Sequence, residues 1–294
     1  MIVITGATGN VGSKISDLLL KSGQKVRLIA RHEEKLRPYK EKGAQIAVGS
    51  ILDTVFLTKA YSGAKVVLTM LPGDFTTVDV GAYQEKAGES VFNAIKNSGV
   101  EYVVNLSSLG GHTTVDTGIV AGLAKLEKKL GTLKDMNILH LRPAYFMENL
   151  LGNIGMIKGM GVMGSTVRPD VSMPLVATQD IAKVAAEKLT NLDFRGHSVL
   201  PIMGPRNYTM VEVAAALGKS VGKPDLKYVQ FPPDQAKQGL MGMGLSASMA
   251  DSFLGLANGI NKGVMDFDKR TPASTTPTTI EEFAKLFAFV YNQG

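Results

Sequence analysis

Met1-Ile2-Val3-Ile4-Thr5-Gly6-Ala7-Thr8-Gly9-Asn10-Val11-Gly12 opens the chain, and its reading decides the fold. Ile2–Thr5 is a short, continuous run suited to a buried strand. Three glycines follow at intervals of three. Val11, Ile15, Leu18 and Leu19 then recur at i, i+4, i+7 and i+8, the apolar stripe of one helix. Buried strand, glycine turn and amphipathic helix together form the opening of a βαβ unit that cradles a dinucleotide pyrophosphate. Gly6 permits the tight turn. Gly9 carries no side chain to hold a phosphate away, and Gly12 lets the helix pack close. Thr8, Asn10 and Val11 complete the loop, where the helix's first N–H groups and positive dipole end meet the phosphates. The spacing is one residue wider than the common fingerprint, so the strand and helix on either side carry the assignment. An ordinary glycine-rich turn is the bland alternative.

The same alternation continues outward from this loop. Strand-like runs occur at Lys25–Ala30, Ala44–Val48, Lys65–Met70, Tyr102–Leu106 and Asn137–Leu141, with helical stretches between them. The first helix stops at Ser22-Gly23, and a later one carries Ile119, Leu123, Leu126 and Leu130 on one face. Continuous apolar strands, each followed by a helix, predict a parallel sheet covered on both faces. After Pro143 the rhythm breaks. Pro174–Thr178 and His197–Ile202 read as strands, and Gln179–Leu189 and Thr209–Val221 as helices. Gly239–Lys262, rich in Gly, Met, Ser and Ala, reads as loosely specified helix. Thr278-Thr279-Ile280-Glu281 reads as a capping box at the start of a last helix. The expected class is α/β: a Rossmann-type doubly wound parallel sheet over residues 1–142, with a smaller C-terminal α+β lobe over residues 143–294. That lobe is interleaved with the first unit and set over the sheet's carboxyl edge, where ligands bind in such folds.

Composition narrows the function. The chain has 294 residues, 45% of them hydrophobic, ample for a packed core. No apolar run reaches the roughly 18–20 residues of a membrane helix. The start lacks the basic and apolar regions of a signal peptide, which makes the cytoplasm the expected compartment. There are no cysteines, so disulfides, thiolate metal sites and cysteine nucleophiles are excluded. The net charge of +6 is scattered and comes with no helix-turn-helix or zinc-finger pattern, so no direct nucleic-acid role is expected. No His/Asp/Glu grouping has metal-ligand spacing, and no metal is predicted.

The second strand ends Leu28-Ile29-Ala30-Arg31-His32. In this fold that end faces the adenosine ribose. An acidic residue there would mark NAD through the 2′-hydroxyl. Arg31 instead suits a 2′-phosphate through charge-assisted, bidentate bonds, so the expected cofactor is NADP(H). The bland alternative is a solvated arginine at a strand end. Leu71 and Pro72, after the fourth strand, are further candidate cofactor contacts.

The glycine loop, Arg31, Asn105-Leu106-Ser107-Ser108 and Leu141-Arg142-Pro143-Ala144-Tyr145-Phe146-Met147-Glu148-Asn149 together resemble the NmrA-like group of atypical short-chain dehydrogenase/reductases. The stretch from Thr276 to Ala284 resembles the tail of bacterial members, so the likeness runs through nearly the whole chain. The resemblance implies NADP(H) binding. It implies either an NADPH-dependent reductase of quinones or triphenylmethane dyes, or a non-enzymatic regulator that senses the cofactor. The chain departs from the wider family at two points. The Tyr-x-x-x-Lys pair of short-chain dehydrogenases matches Ala121 and Lys125, so the phenol is gone. Gly49-Ser50-Ile51 stands where many relatives carry an aspartate against adenine, which leaves Ser50 as the hydroxyl there.

The candidate catalytic residues are Lys125, Ser108, His112 and Tyr145. Lys125 would hold the nicotinamide ribose, or else belongs to a solvated cluster with Lys128 and Lys129. Ser107 and Ser108 would bond the nicotinamide or a substrate carbonyl, or else cap a strand end. His112 is a candidate proton donor or a surface loop residue. Tyr145, with Pro143 and Ala144, would approach the nicotinamide or simply pack. His140, in an apolar strand, reads as a satisfied core residue. Met156, Met160, Met163, Met241, Met243 and Met249 are candidates to line a plastic pocket for flat aromatic substrates, although methionine is more often core filler. A quinone-like acceptor is electron-poor and needs little acid catalysis, so loss of the phenol suits quinone or dye reduction better than alcohol chemistry. It suits a regulator equally well. A homodimer or a protein partner is compatible with either reading.

Overall fold

The computed structural model describes residues 1–265 and 270–293. Its strands are β1 (Ile2–Thr5), β2 (Val26–Ala30), β3 (Gln45–Val48), β4 (Val66–Met70), β5 (Tyr102–Leu106), β6 (Asn137–Pro143), β7 (Tyr145–Phe146), β8 (Val162–Ser165), β9 (Met173–Val176), β10 (His197–Ile202), β11 (Asn207–Tyr208) and β12 (Lys227–Gln230). Its helices are α1 (Asn10–Lys21), α2 (Glu33–Glu41), α3 (Thr54–Tyr61), α4 (Val80–Ser98), α5 (Val120–Leu130), α6 (Ile154–Met160), α7 (Thr178–Asn191), α8 (Met210–Ser220), α9 (Pro233–Gly242), α10 (Ala247–Asn261) and α11 (Ile280–Gln293).

Seven parallel strands form the main sheet, in the order β3-β2-β1-β4-β5-β6-β10. The order reverses between β1 and β4, which opens the ligand crevice of a doubly wound sheet at their carboxyl ends. The strands β1 to β6 feed two cores, one on each face of the sheet. Ile2 and Ile4 point to one, with Val11, Ile15 and Leu19 of α1 and Ile181, Ala185 and Leu189 of α7. Val3 points to the other, with Leu57 of α3, Val91 of α4 and Leu126 of α5. Strand side chains alternate between faces, so both faces must be apolar, and the sequence of β1 meets that demand.

The second half of the chain leaves this sheet and comes back to it. After β6 it builds a third core around Met147, Leu175, Val213, Leu217 and Phe287. A three-stranded sheet, β11-β9-β7, and the pair β12-β8 carry it. Helix α7 then packs beside α1, and β10 pairs with β6 at the sheet's edge. Pro201 sits within β10, which is tolerated because an edge strand can lack a donor on its open side.

One sequence expectation is corrected here. The capping box of α11 lies one residue later than Thr278–Glu281. Thr279 N donates to Glu282 Oε2 at 2.8 Å, and Glu282 N donates to Thr279 Oγ1 at 3.1 Å. Thr278 is buried, and its N–H is engaged elsewhere, donating to Asp180 Oδ2 at 3.0 Å. The loosely specified stretch Gly239–Lys262 resolves into α10 and the end of α9, with a turn at Met243-Gly244 between them.

Candidate active site

The glycine loop has the geometry its spacing requires. Gly6 has φ +71°, where side chains are rarely tolerated. A Cβ on Gly12 would lie 2.1 Å from the carbonyl oxygen of Gly6, a clash with backbone. A Cβ on Gly9 would meet only that oxygen, at 3.3 Å, and would otherwise project into the open cradle. Gly9 is the N-cap of α1; no side chain caps the helix, and its first turn holds no acidic residue. The helix thus presents unsatisfied N–H groups and a positive end. Lys14 adds a cation that sequence reasoning missed: its Nζ lies 3.0 Å from Asn10 O and 2.7 Å from Asn10 Oδ1.

Arg31 is exposed directly after the end of β2. It faces the loop after β4. There Asp74 is held below the usual carboxylate range, mainly by hydrogen bonds from Thr76, with Arg31's positive charge contributing. At Ser50 the hydroxyl oxygen already accepts from Leu52 N at 3.2 Å, and the Phe56 ring covers Gly49. What Ser50 retains for a ligand is its own O–H.

At the other end of the crevice is a cavity of about 230 Å³ beyond the carboxyl ends of β4, β5 and β6. Leu71, Ser107, Ser108, Pro143, Ala144 and Tyr145 line it together. Pro72, next to Leu71, is half-buried outside the lining. Ser107 Oγ is buried and has no hydrogen-bond partner among the described residues, and a Cβ built on Gly111 would lie 3.0 Å from it. Burial pushes the Tyr145 phenol up to about 12, with a smaller contribution from Tyr228, so it remains a neutral donor. No charged side chain lines the cavity among the described residues.

Lys125 and His112, named above as candidate cofactor or catalytic groups, lie outside this cavity. Helix α5 turns Ile119, Val120 and Leu123 toward the cavity. Lys125 is two positions past Leu123, about 200° around the helix. Its ammonium points into the groove between α4 and α5, 3.7 Å from Glu85, and the side chain is 59% exposed. Lys129 pairs with Glu89 in the same groove. His112 is an exposed loop residue. None of the six methionines named from the sequence, Met156 among them, lines the cavity. Met173 and Met265 line the cavity, Met163 and Met249 are buried away from its wall, and Met160, Met241 and Met243 are exposed.

Several contributors were not visible in the sequence. Phe253, Leu256 and Ile260 of α10 form part of the cavity wall, and Gln84 and Asn149 add amides. Glu127 sits inside the run Leu126-Glu127-Lys128-Lys129, which reads as solvated, yet it is buried and binds Arg142 bidentately at 3.0 and 2.6 Å. This pair ties α5 to β6 just below Pro143. Glu148 takes the N–H of Thr178, at the start of α7, on both oxygens (3.1 and 3.0 Å). It also accepts the Thr178 hydroxyl, which lies 3.3 Å from Asn10 Oδ1. The stretch from Arg142 to Glu148 therefore links the cavity wall to the phosphate loop. His140 lies in the sheet, its Nδ1 3.0 Å from Asn105 Nδ2, and burial lowers its pKa. Among the described residues no cluster of three or more His, Asp or Glu could hold a metal ion, and no helix is long and apolar enough to cross a membrane.

The NAD(P)H azoreductase of Xenophilus azovorans is 29% identical over 261 residues, covering 86% of this chain and 84% of that protein. Quinone oxidoreductase 2 of Escherichia coli (strain K12) is 26% identical over 295 residues, covering 98% and 99%. The crystal structure of an NADPH-dependent quinone oxidoreductase from Escherichia coli, complexed with NADPH, superposes with a TM-score of 0.83 at 25% identity, covering 97% of this chain and 99% of that one. The NmrA-like family profile matches residues 1–284, and the chain belongs to that family.

Proposed function

We propose that the protein is an NADPH-dependent oxidoreductase that passes hydride to a small, flat, uncharged acceptor such as a quinone or an aromatic dye. The observation that carries the reading is the cavity at the carboxyl ends of β4–β6, with no charged side chain among its described lining residues, on the same sheet edge as the open glycine cradle of β1 and Arg31 of β2. A dinucleotide laid along that edge puts its 2′-phosphate at Arg31, its pyrophosphate on α1 and its nicotinamide in the cavity. When bound, the nicotinamide supplies the hydride.

The chain's own residues do the rest. The glycine loop and the N-terminus of α1 bind the pyrophosphate, with Lys14 beside them. Arg31 holds the 2′-phosphate and favours NADPH over NADH. Ser107 and Ser108 offer hydroxyls to the nicotinamide carboxamide or the acceptor oxygen. Tyr145, neutral throughout the physiological range, donates a hydrogen bond to an acceptor oxygen as negative charge builds there. The apolar walls exclude water and fix the two rings face to face. The relatives named for azo and quinone reduction support this chemistry.

The test is steady NADPH oxidation, followed by its absorbance, with a panel of quinones and azo dyes. Turnover with at least one acceptor is the expected result. Tight NADPH binding with no turnover across the panel would instead make the protein a cofactor-sensing regulator.

A further inference from the structure

Phe253 of the cavity lining stacks on Phe75, which lies outside that lining, and the proposed reaction leaves this aromatic pair unused. Helix α10 turns Phe253, Leu256 and Ile260 into the cavity, a spacing of i, i+3 and i+7 that defines one helix face. The Phe253 ring lies nearly parallel to that of Phe75, with centroids 6.4 Å apart and planes 12° apart. Phe75 comes from the loop after β4, which also supplies Leu71 and Gly73 to the wall. That loop is fastened to α10 at two points. Ser246 N donates to Phe75 O at 2.9 Å, and Val80 N donates to Ser248 Oγ at 3.0 Å. Phe75 is 54% exposed, whereas Phe253 is half-buried, so the pair runs from the cavity wall out to solvent.

Size decides what reaches the pair. The cavity, at about 230 Å³, is smaller than the roughly 300–1,000 Å³ of most small-molecule sites. In the proposed reaction it must admit a nicotinamide ring as well as the acceptor's reacting ring. A second fused ring of the acceptor then projects past the enclosed part, where an aromatic face meets it. With no charged lining residue among those described, an ionised substituent on that ring would lose hydration without finding a partner.

We propose that Phe253 and Phe75 select uncharged acceptors of two or more fused aromatic rings by stacking on the ring that projects from the cavity. The proposal rests on the reductase reading.

Its test compares an uncharged 1,4-naphthoquinone with 1,4-benzoquinone on the parent, Phe253→Leu and Phe75→Leu. Leucine keeps apolar bulk and removes the π-face. The expected result is a rise of roughly tenfold in the ratio of the naphthoquinone KM to the benzoquinone KM, the scale of one aromatic stack. Calorimetry of naphthoquinone binding to the NADP⁺-loaded protein should weaken in parallel, while the Kd for NADPH stays at the parent value. Phe75 is exposed, so Phe75→Leu keeps the question answerable if Phe253→Leu does not fold. Turnover with an unchanged ratio and unchanged naphthoquinone affinity overturns this inference alone. Absence of both turnover and binding for every quinone on the parent overturns the reductase reading and this inference with it.

Discussion

Gly9 and Gly12 belong to one motif, yet the structure assigns their substitutions opposite consequences. Gly9 has φ −79° and ψ 177°, extended backbone that valine adopts readily. Its Cβ would press only on the Gly6 carbonyl at 3.3 Å, and the residue is exposed. Gly9→Val should therefore change stability by less than about 1 kcal/mol, as surface substitutions commonly do. Its methyl groups would fill the space a pyrophosphate needs, so NADPH binding should fall below detection. Gly12→Ala puts a Cβ 2.1 Å from Gly6 O, 2.9 Å from Gly6 C and 3.2 Å from Ala7 Cα. All three are backbone atoms of the turn and cannot swing aside. Overpacking of this kind costs about 1–3 kcal/mol, offset by roughly 0.5–1 kcal/mol from alanine's better helix propensity. The 2.1 Å clash is with backbone, which sets the overpacking cost at the upper end of that range, so the net is a loss of about 2 kcal/mol, or a Tm lower by roughly 4–8 °C. Thermal unfolding followed by circular dichroism, with calorimetric NADPH titration of each variant, reads both effects. A folded Gly9→Val that binds NADPH like the parent, or a Gly12→Ala as stable as the parent, refutes the reasoning.

Arg31→Asp should weaken NADPH by about 2–4 kcal/mol, the scale for losing a charge-assisted contact and adding repulsion, while NADH weakens less or gains. Calorimetry with an unchanged NADPH/NADH affinity ratio would remove Arg31 from the site. Lys125→Ala should retain parental turnover and NADPH affinity and shift stability by less than about 1 kcal/mol, because its pairing with Glu85 is exposed. A fall in turnover on the side-by-side assay would return Lys125 to the catalytic residues. His140 should make stability fall in acid. Burial lowers its pKa from 6.5, so the unfolded chain binds the proton first. Stability is then complete above about pH 6.5 and declines as pH drops below it. In His140→Gln, denaturant midpoints at neutral pH and near pH 5 should lie closer together than in the parent; equal spacing would contradict this.

The sequence announces whatever rests on local pattern. Ile2–Thr5, the glycines and the stripe of α1 agree at every level, and the phosphate cradle is legible from twelve residues. The six runs from Ile2 to Leu141 pair as parallel strands because each is apolar on both faces. The apolar stripe Ile119, Leu123, Leu126 and Leu130 already sets Leu123 apart from Lys125, and a matched position in a family helix does not override that orientation. What stays hidden depends on long-range return. Helix α10 contributes three wall residues from a stretch whose Gly, Met, Ser and Ala give little periodic signal. Glu127 looks solvated until Arg142 of β6 closes on it, some fifteen positions away.

The most direct measurement is a single turnover. The protein is loaded with NADPH and mixed rapidly with excess uncharged naphthoquinone, and the reduced cofactor's absorbance is followed in time. The experiment is repeated with NADPH deuterated at the transferred position of the nicotinamide. The reductase account predicts a decay that depends on acceptor concentration and slows several-fold on deuteration, because the cofactor's hydride is what moves. Cofactor that stays bound and reduced at every acceptor concentration would contradict it.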